Sequence, residues 1–306
     1  MFPDFAADES QTFHQKLARF NVIRMAPATP PADWQAEMDS EYAHRQAEGQ
    51  FLEALRGEVA SLLPDPAFET ERFITWFEAL VETGPGQQHA LFDWLAEQAS
   101  RHQLRLFLTQ EAAGEAGFED LLAYTLVKLP VQAKLECARN FWDEMGHGRP
   151  AAMHGAMLAR MVRDLNLHPA IDATVWESLA LSNTMVGLAT TRRYAYQAIG
   201  ALGVIELTAP ERARKVALGM QRLGLDGRTR AYFELHAVLD VAHARSWIAE
   251  VIRPLIEATP ACAPFIAEGA LMRLLCGERC YARYQLEFQT TQFALGQADD
   301  RLQRVA

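Results

Sequence analysis

The sequence predicts an all-α protein, a bundle of about seven core helices with an N-terminal helical extension. Apolar residues recur at helical spacing in one segment after another, and no segment shows the sustained alternation of a β-strand. Turn-forming residues separate these segments, as in Gly84-Pro85-Gly86 and Asp226-Gly227. The chain has 306 residues, of which 50% are hydrophobic, so it can bury a sizeable core.

The N-terminal part, residues 1–100, is expected to form an arm and a helical extension that pack on the core. Residues 1–30 look irregular and end in Ala28-Thr29-Pro30-Pro31, which is a natural stop before a helix. Helices are then expected over 32–63, 69–83 and 88–102. The extension could cover the bundle or form the contact of a homodimer, and the sequence does not choose between the two.

The remaining part, residues 101–306, is expected to form the bundle that carries the functional site. Pro210 is expected to close one of its helices, because a proline lacks the backbone donor that a helix interior needs. The most apolar stretch, 179–207, has Arg192 and Arg193 at its centre. Each arginine would cost about 2.5–3.5 kcal/mol in a membrane, so two buried helices are expected there. The helices of the bundle are expected over 104–115, 118–128, 131–145, 151–166, 173–190, 192–207, 210–223, 228–247, 248–258 and 264–294.

Composition argues against several classes of protein. The net charge is −10, and no basic stripe suggests a nucleic-acid partner. Residues 1–10 are acidic and lack the features of a signal peptide, and no membrane association is expected. The four cysteines form no CxxC pair, which fits a reducing cytoplasm. The sequence has no phosphate loop, no dinucleotide-binding glycine motif and no serine-hydrolase elbow.

One predicted helix carries His236, Asp240 and His243 within roughly 60° of one another. Apolar residues flank this stripe on both sides. An acid and two histidines that face an apolar bundle would be costly to desolvate unless a partner such as a divalent metal binds them. The alternative is a half-exposed stripe on a surface helix.

Other carboxylates and histidines extend this stripe to the ligand pattern of four-helix di-iron sites, in which two helices give one Glu each and two give Glu-x-x-His. Residues three apart are neighbours on a helix, so one can bind an ion terminally while the other bridges to a second ion. Mixed oxygen and nitrogen ligation suits iron or manganese. The predicted ligands are Glu111, Glu144, His147, Glu206, Asp240 and His243, with His236 as an additional ligand.

Several other histidines are expected to lie outside the site. A second Glu-x-x-His, at Glu41 and His44, is interpreted as part of a solvated polar face. His154 is interpreted as outer support or packing, because Pro150 should interrupt the helix and the axial distance from His147 is too long for one ion pair. Four further histidines are expected at the surface: His14, His89, His102 and His168.

Four residues are candidates for contact with a substrate. Arg192, about four turns before Glu206, could anchor a substrate carboxylate, although a structural salt bridge is favoured. The residues Trp142, Ile199 and Leu202 are expected to line a partly apolar pocket.

Four stretches of the chain resemble the haem-oxygenase-like di-iron oxidases and oxygenases, often described as iron-containing redox enzymes. The matching stretches, all in the order of the family, are Gln-Glu-Ala-Ala-Gly-Glu-Ala-Gly-Phe at 110–118, Asp-Glu-Met-Gly-His-Gly-x5-His at 143–154, Gly-Ala-Leu-Gly-Val-Ile-Glu at 200–206 and His-x3-Asp-x2-His at 236–243. The second and the fourth are the most specific. The resemblance covers roughly residues 100–290.

The resemblance implies a seven-helix haem-oxygenase-like bundle that binds two Fe(II) ions, with manganese as an alternative, and no haem. One ion would be held by Glu111, Glu144, His147 and His243, and the other by Glu206, His236 and Asp240, with Glu144 as a bridge. It implies an O2-dependent oxidase or oxygenase acting on a small amino acid, an amine or a fatty-acid-like molecule. No residue beyond the metal ligands is expected to act in catalysis. The helix over 228–247 is expected to become ordered only with metal and substrate.

Two other functions remain open from the residues. A ferritin-like iron-oxidising protein would share the carboxylate pattern, but His236 would be surplus and Gly146-His147-Gly148 would stay unexplained. A metal-free bundle of the same fold could bind a small ligand or a partner protein instead.

Overall fold

The computed structural model describes residues 7–65 and 69–303, and the side chains of residues 8–65 and 69–288. Within these ranges every regular element is a helix, which confirms the predicted all-α class. The helices that precede the expected bundle are α1 (Ala7–Met25), α2 (Trp34–Val59), α3 (Thr70–Thr83) and α4 (Ala90–Glu97).

Nine further helices follow. A π-helical segment (Trp247–Ile252) joins the eleventh helix of the chain to the twelfth. The helices are α5 (Arg101–Gly114), α6 (Phe118–Thr125), α7 (Val131–Glu144), α8 (His154–Asp164), α9 (Trp176–Thr190), α10 (Ala195–Arg222), α11 (Gly227–Ser246), α12 (Arg253–Ala258) and α13 (Ala263–Gln303). None of the described helices is both long and apolar enough to cross a membrane.

Helices α10 and α13 form the centre of the bundle, and both contribute to its two groups of buried apolar residues. Their backbones touch at two glycines. A Cβ on Gly200 would lie 1.9 Å from the carbonyl oxygen of Ile266, and a Cβ on Gly269 would lie 1.9 Å from that of Gln197. Only glycine allows this approach, which fixes the part of α10 that precedes the site.

The first three helices share one buried cluster with the bundle, and α4 contributes to the other. Leu17, Phe51 and Phe77 belong to the same buried cluster as residues of α9, α10 and α13. The expectation that residues 1–30 are irregular is wrong over Ala7–Met25, which forms α1. Phe13, Leu17 and Phe20 supply the apolar stripe of that helix at spacings of four and three.

His14 also departs from its expected surface position. It is 4% exposed and stacks on Trp176 at 5.7 Å between ring centroids. Asn183 Nδ2 donates to the backbone oxygen of His14 at 3.0 Å and lies 3.3 Å from its Nδ1. The histidine therefore belongs to the contact between α1 and α9.

Pro210 does not end a helix as expected, because α10 continues through it to Arg222. A proline inside a helix costs about 3 kcal/mol through the lost hydrogen bond and the clash of its ring. Buried residues on both sides, including Val204 and Val216, give α10 packing that offsets this cost. The result is one long helix that carries Glu206 at its middle.

Candidate metal centre

Six polar side chains meet inside the bundle, where α7, α8, α10 and α11 come together. Five of these side chains are at most 6% exposed, and the sixth, that of His236, is half-buried. The six residues, called the donor cluster below, are Glu144, His154, Glu206, His236, Asp240 and His243.

The first half of the donor cluster joins Glu144, His154 and His236. His154 Nδ1 lies 2.6 Å from Glu144 Oε2 and 3.1 Å from His236 Nε2. His236 Nδ1 lies 2.7 Å from the backbone oxygen of Tyr232. Since a carbonyl oxygen can only accept, this nitrogen carries the proton and the lone pair of Nε2 faces the cluster. The contact fixes the tautomer that a metal-binding histidine needs.

The second half joins Glu144, Glu206 and His243. His243 Nδ1 lies 3.4 Å from Glu206 Oε2, and its Nε2 lies 3.0 Å from Asp143 Oδ2. Asn140 Nδ2 donates to Glu206 Oε1 at 2.6 Å. Each half could hold a metal ion, and Glu144 belongs to both halves.

Burial and like charge perturb the titration of these groups. Burial, together with the charges of Glu206 and Glu144, raises the pKa of Asp240 to about 10. Burial and the charge of Glu206 raise the pKa of Glu144 to about 9. Burial lowers the pKa of His236 to about 4. Burial also acts against the charged form of His243, but the neighbouring Glu206 carboxylate outweighs it and raises the pKa to about 9. Three carboxylates in one buried space favour protons or cations as partners.

The donor cluster has the chemistry of a metal site. Asp240 Oδ1 is buried without a hydrogen-bond partner among the described residues, although an oxygen in that position costs free energy unless something binds it. The donors are carboxylate oxygens and imidazole nitrogens, a set that suits iron or manganese. The carboxylate of Asp143 lies outside the cluster and contacts His243, with 3.0 Å between Oδ2 and Nε2.

The expectation that His154 lies too far from the site to take part in it is wrong, because His154 Nδ1 lies 2.6 Å from Glu144 Oε2. The chain does not continue α7 but turns through Gly146, His147 and Gly148, which have φ angles of +59°, +54° and +74°. A Cβ on Gly146 would lie 2.4 Å from the backbone of Ala152, so this turn is closed on itself. It returns the chain to the cluster, where α8 begins with His154.

His147 lies outside the donor cluster. Its side chain is 56% exposed, and its Nε2 lies 3.1 Å from Asp143 Oδ1. The other oxygen of Asp143 holds His243, so Asp143 stands between the two histidines. Sequence reasoning missed both Asp143 and Asn140, although each lies within one turn of Glu144 on the same helix.

Glu111 lies on the wall of an adjoining cavity rather than in the donor cluster, and it accepts a hydrogen bond from the hydroxyl of Tyr284 at 3.2 Å. Burial is the main cause that raises the pKa of Glu111. The cavity has a volume of about 170 Å³, and four members of the donor cluster form part of its wall. These four are Glu144, Glu206, His236 and Asp240.

The four residues expected to contact the substrate lie away from this cavity. Ile199 and Leu202 are fully buried in the core, and Trp142 is 51% exposed at the surface. Arg192 is directed at the backbone oxygens of Tyr124 and Thr125, at 3.4 and 3.3 Å. The structure therefore does not bring these residues to the donor cluster.

Comparison with known proteins gives the family and the fold of this chain. The family model of iron-containing redox enzymes matches residues 105–278, which is more than half of the chain and includes the whole donor cluster. The fold is similar to the crystal structure of a CADD-like protein of unknown function from Nostoc punctiforme, with a TM-score of 0.55 and 16% identity. That similarity covers 71% of this chain and 97% of the other. No curated protein matches the sequence. The chain thus belongs to the family of iron-containing redox enzymes, with a haem-oxygenase-like helical fold.

Proposed function

We propose that the protein is a non-haem di-iron enzyme that uses O2 to oxidise a small amino acid, an amine or a fatty-acid-like molecule. The observation that carries the proposal is the donor cluster, whose two halves share Glu144 and open on a cavity. The family membership supports iron and redox chemistry.

The proposed cofactors are two Fe(II) ions, with manganese as an alternative, and no haem. Glu144 would bridge the ions. His154 and His236 would hold one of them, and Glu206 and His243 the other. Asp240, whose Oδ1 has no hydrogen-bond partner among the described residues, would supply a further oxygen. This set replaces His147 by His154 and omits Glu111, since both of the omitted residues lie outside the donor cluster. Bound iron would supply the binding and stepwise reduction of O2.

The surrounding residues would orient the donors. Asp143 accepts from His243 Nε2 and leaves Nδ1 directed at Glu206. Asn140 holds one oxygen of Glu206, which leaves the second oxygen for a metal. Partners of this kind fix the rotation and tautomer of metal ligands. No side chain of the cluster needs to act as a nucleophile.

A ferritin-like iron-oxidising protein is the second candidate. It would use the same carboxylates but has no need of a substrate cavity. The cavity of about 170 Å³ against four of the donors favours the oxidase instead.

The test is anaerobic reconstitution with Fe(II), followed by exposure to O2 and measurement of O2 consumption and optical absorption. We expect two iron ions per chain and a transient visible absorption, which candidate substrates accelerate. His236→Ala and Glu144→Ala should abolish the absorption. Glu41→Gln is the matched control, because Glu41 lies in a second Glu-x-x-His sequence on the exposed side of α2. Full iron binding by both variants would contradict the proposal.

A further inference from the structure

Two guanidinium groups line the cavity that adjoins the donor cluster, those of Arg212 on α10 and Arg273 on α13. Arg273 makes no hydrogen bond or ion pair within the part of the chain that the structure describes. Arg212 makes one hydrogen bond, from Nη1 to the amide oxygen of Gln87 at 3.3 Å. The two guanidinium groups carry ten N–H donors, and among the described residues only Gln87 accepts from them.

The nearby carboxyl groups do not neutralise these cations. Glu111 interacts with both arginines but lies beyond ion-pair distance of either. Burial raises the pKa of Glu111 and that of Glu115, which favours their neutral forms. Burial also acts against the charge of Arg212 and lowers its pKa, which an anion in the cavity would reverse.

The surroundings of the arginines suit a planar anion with an apolar body. The guanidinium of Arg212 lies 6.0 Å from the ring of Phe92 and 5.8 Å from that of Tyr281. A guanidinium pairs with a carboxylate through two parallel hydrogen bonds, and this geometry gives both affinity and orientation. A second negative charge would add to the cost of desolvation in this partly buried cavity, so a singly charged carboxylate is favoured over a doubly charged phosphate.

We propose that the substrate is a carboxylic acid whose carboxylate binds Arg212 and Arg273, with the rest of the molecule extending along the cavity to the donor cluster. The inference rests on the proposed function and narrows its substrate class, since it excludes a simple amine. Arg212 follows Glu206 by six residues, about 9 Å along the axis of α10. The carboxylate site and Glu206 therefore lie beside different turns of α10.

The test measures binding by calorimetry to the full-length protein under anaerobic conditions, once without metal and once with Mn(II). The probes are octanoate, benzoate and L-leucine, each beside its primary amide, together with octylamine and octylphosphonate. We expect at least one acid to bind tenfold or more tightly than its amide, and octylamine not to bind. Equal binding of every acid and its amide, failure of all three acids to bind, or a preference for the phosphonate would overturn the proposal.

Three variants test whether the arginines bind the acid. Arg273→Met and Arg212→Met should each weaken the acid tenfold or more, while Arg273→Lys should retain part of the affinity. Arg214→Met is the matched control, because Arg214 lies on the same helix with an exposed side chain that pairs with Glu211. An acid that bound to the metal instead would keep its affinity in both methionine variants, and that result would contradict the proposal.

A measurement on the unaltered protein covers the case in which a variant does not fold. Phenylglyoxal should modify Arg212 and Arg273, as read by peptide mass spectrometry, and the bound acid should protect both while its amide does not. Equal modification with and without the acid would count against the site. None of these measurements uses iron or O2, so their failure is distinct from failure of the redox function.

Discussion

His154 Nδ1 lies 2.6 Å from Glu144 Oε2, although one residue begins α8 and the other ends α7. The loop between them contains three residues in the left-handed region and reverses the direction of the chain. The loop thereby brings His154 back beside Glu144, the last residue of α7. The contact determines which of the two nearby histidines, His147 or His154, belongs to the proposed metal centre.

The first prediction compares these two histidines. His154→Ala should reduce Fe(II) binding from two ions to one or none per chain, because it removes a buried nitrogen of the first half of the donor cluster. His147→Ala should keep two ions, because its side chain is 56% exposed and contacts only the outer side of Asp143. Anaerobic titration with Fe(II), followed by removal of unbound metal, gives both stoichiometries. The reverse result would return His147 to the ligand set.

Much of this arrangement follows from the sequence, and the exceptions have physical causes. Helical spacing was enough to place His236, Asp240 and His243 on one face, because that geometry is local. The position of His154 depends on a closed turn that only φ angles reveal, and no periodicity encodes it. Pro210 suggested a helix end, yet packing on both sides of α10 outweighed the local preference. The arginines of the cavity lie 61 residues apart on two helices, so only the folded chain brings them to one wall.

The second prediction concerns Asp143, which holds His243 from outside the donor cluster. Asp143→Asn should weaken Fe(II) binding about 10- to 100-fold while the stoichiometry stays at two, because the amide orients the imidazole less well. Competition with a coloured Fe(II) chelator measures the change. Asp120→Asn is the control, because this carboxylate lies exposed on α6. Unchanged affinity in the Asp143 variant would show that the contact is not needed for binding.

The third prediction concerns metal removal. The donor cluster without a cation buries carboxylates beside one another and leaves Asp240 Oδ1 without a partner, at a cost of about 1–3 kcal/mol for each such group. Helix α11, which carries three of the six donors, should therefore exchange its amide hydrogens faster in the metal-free protein than with Fe(II) or Mn(II). Peptides from α3, which contributes no donor, should exchange alike in both states. Equal protection of α11 in the two states would contradict the expectation.

The last prediction concerns pH and a histidine remote from the donor cluster. Burial lowers the pKa of His14 to about 3, compared with about 6.5 in an unfolded chain. Between pH 3 and pH 6.5 His14 is protonated in the unfolded chain but neutral in the folded protein. The free energy of unfolding is therefore highest above pH 6.5 and decreases as the pH falls towards 3. At pH 5 the loss should be about 2 kcal/mol. His14→Gln removes this titrating group. The excess of the native protein's free energy of unfolding over that of the variant should therefore narrow or reverse when the pH is lowered from 7.5 to 5. Urea unfolding at the two pH values measures the difference, and a gap that stays constant would show that His14 titrates normally in the folded protein.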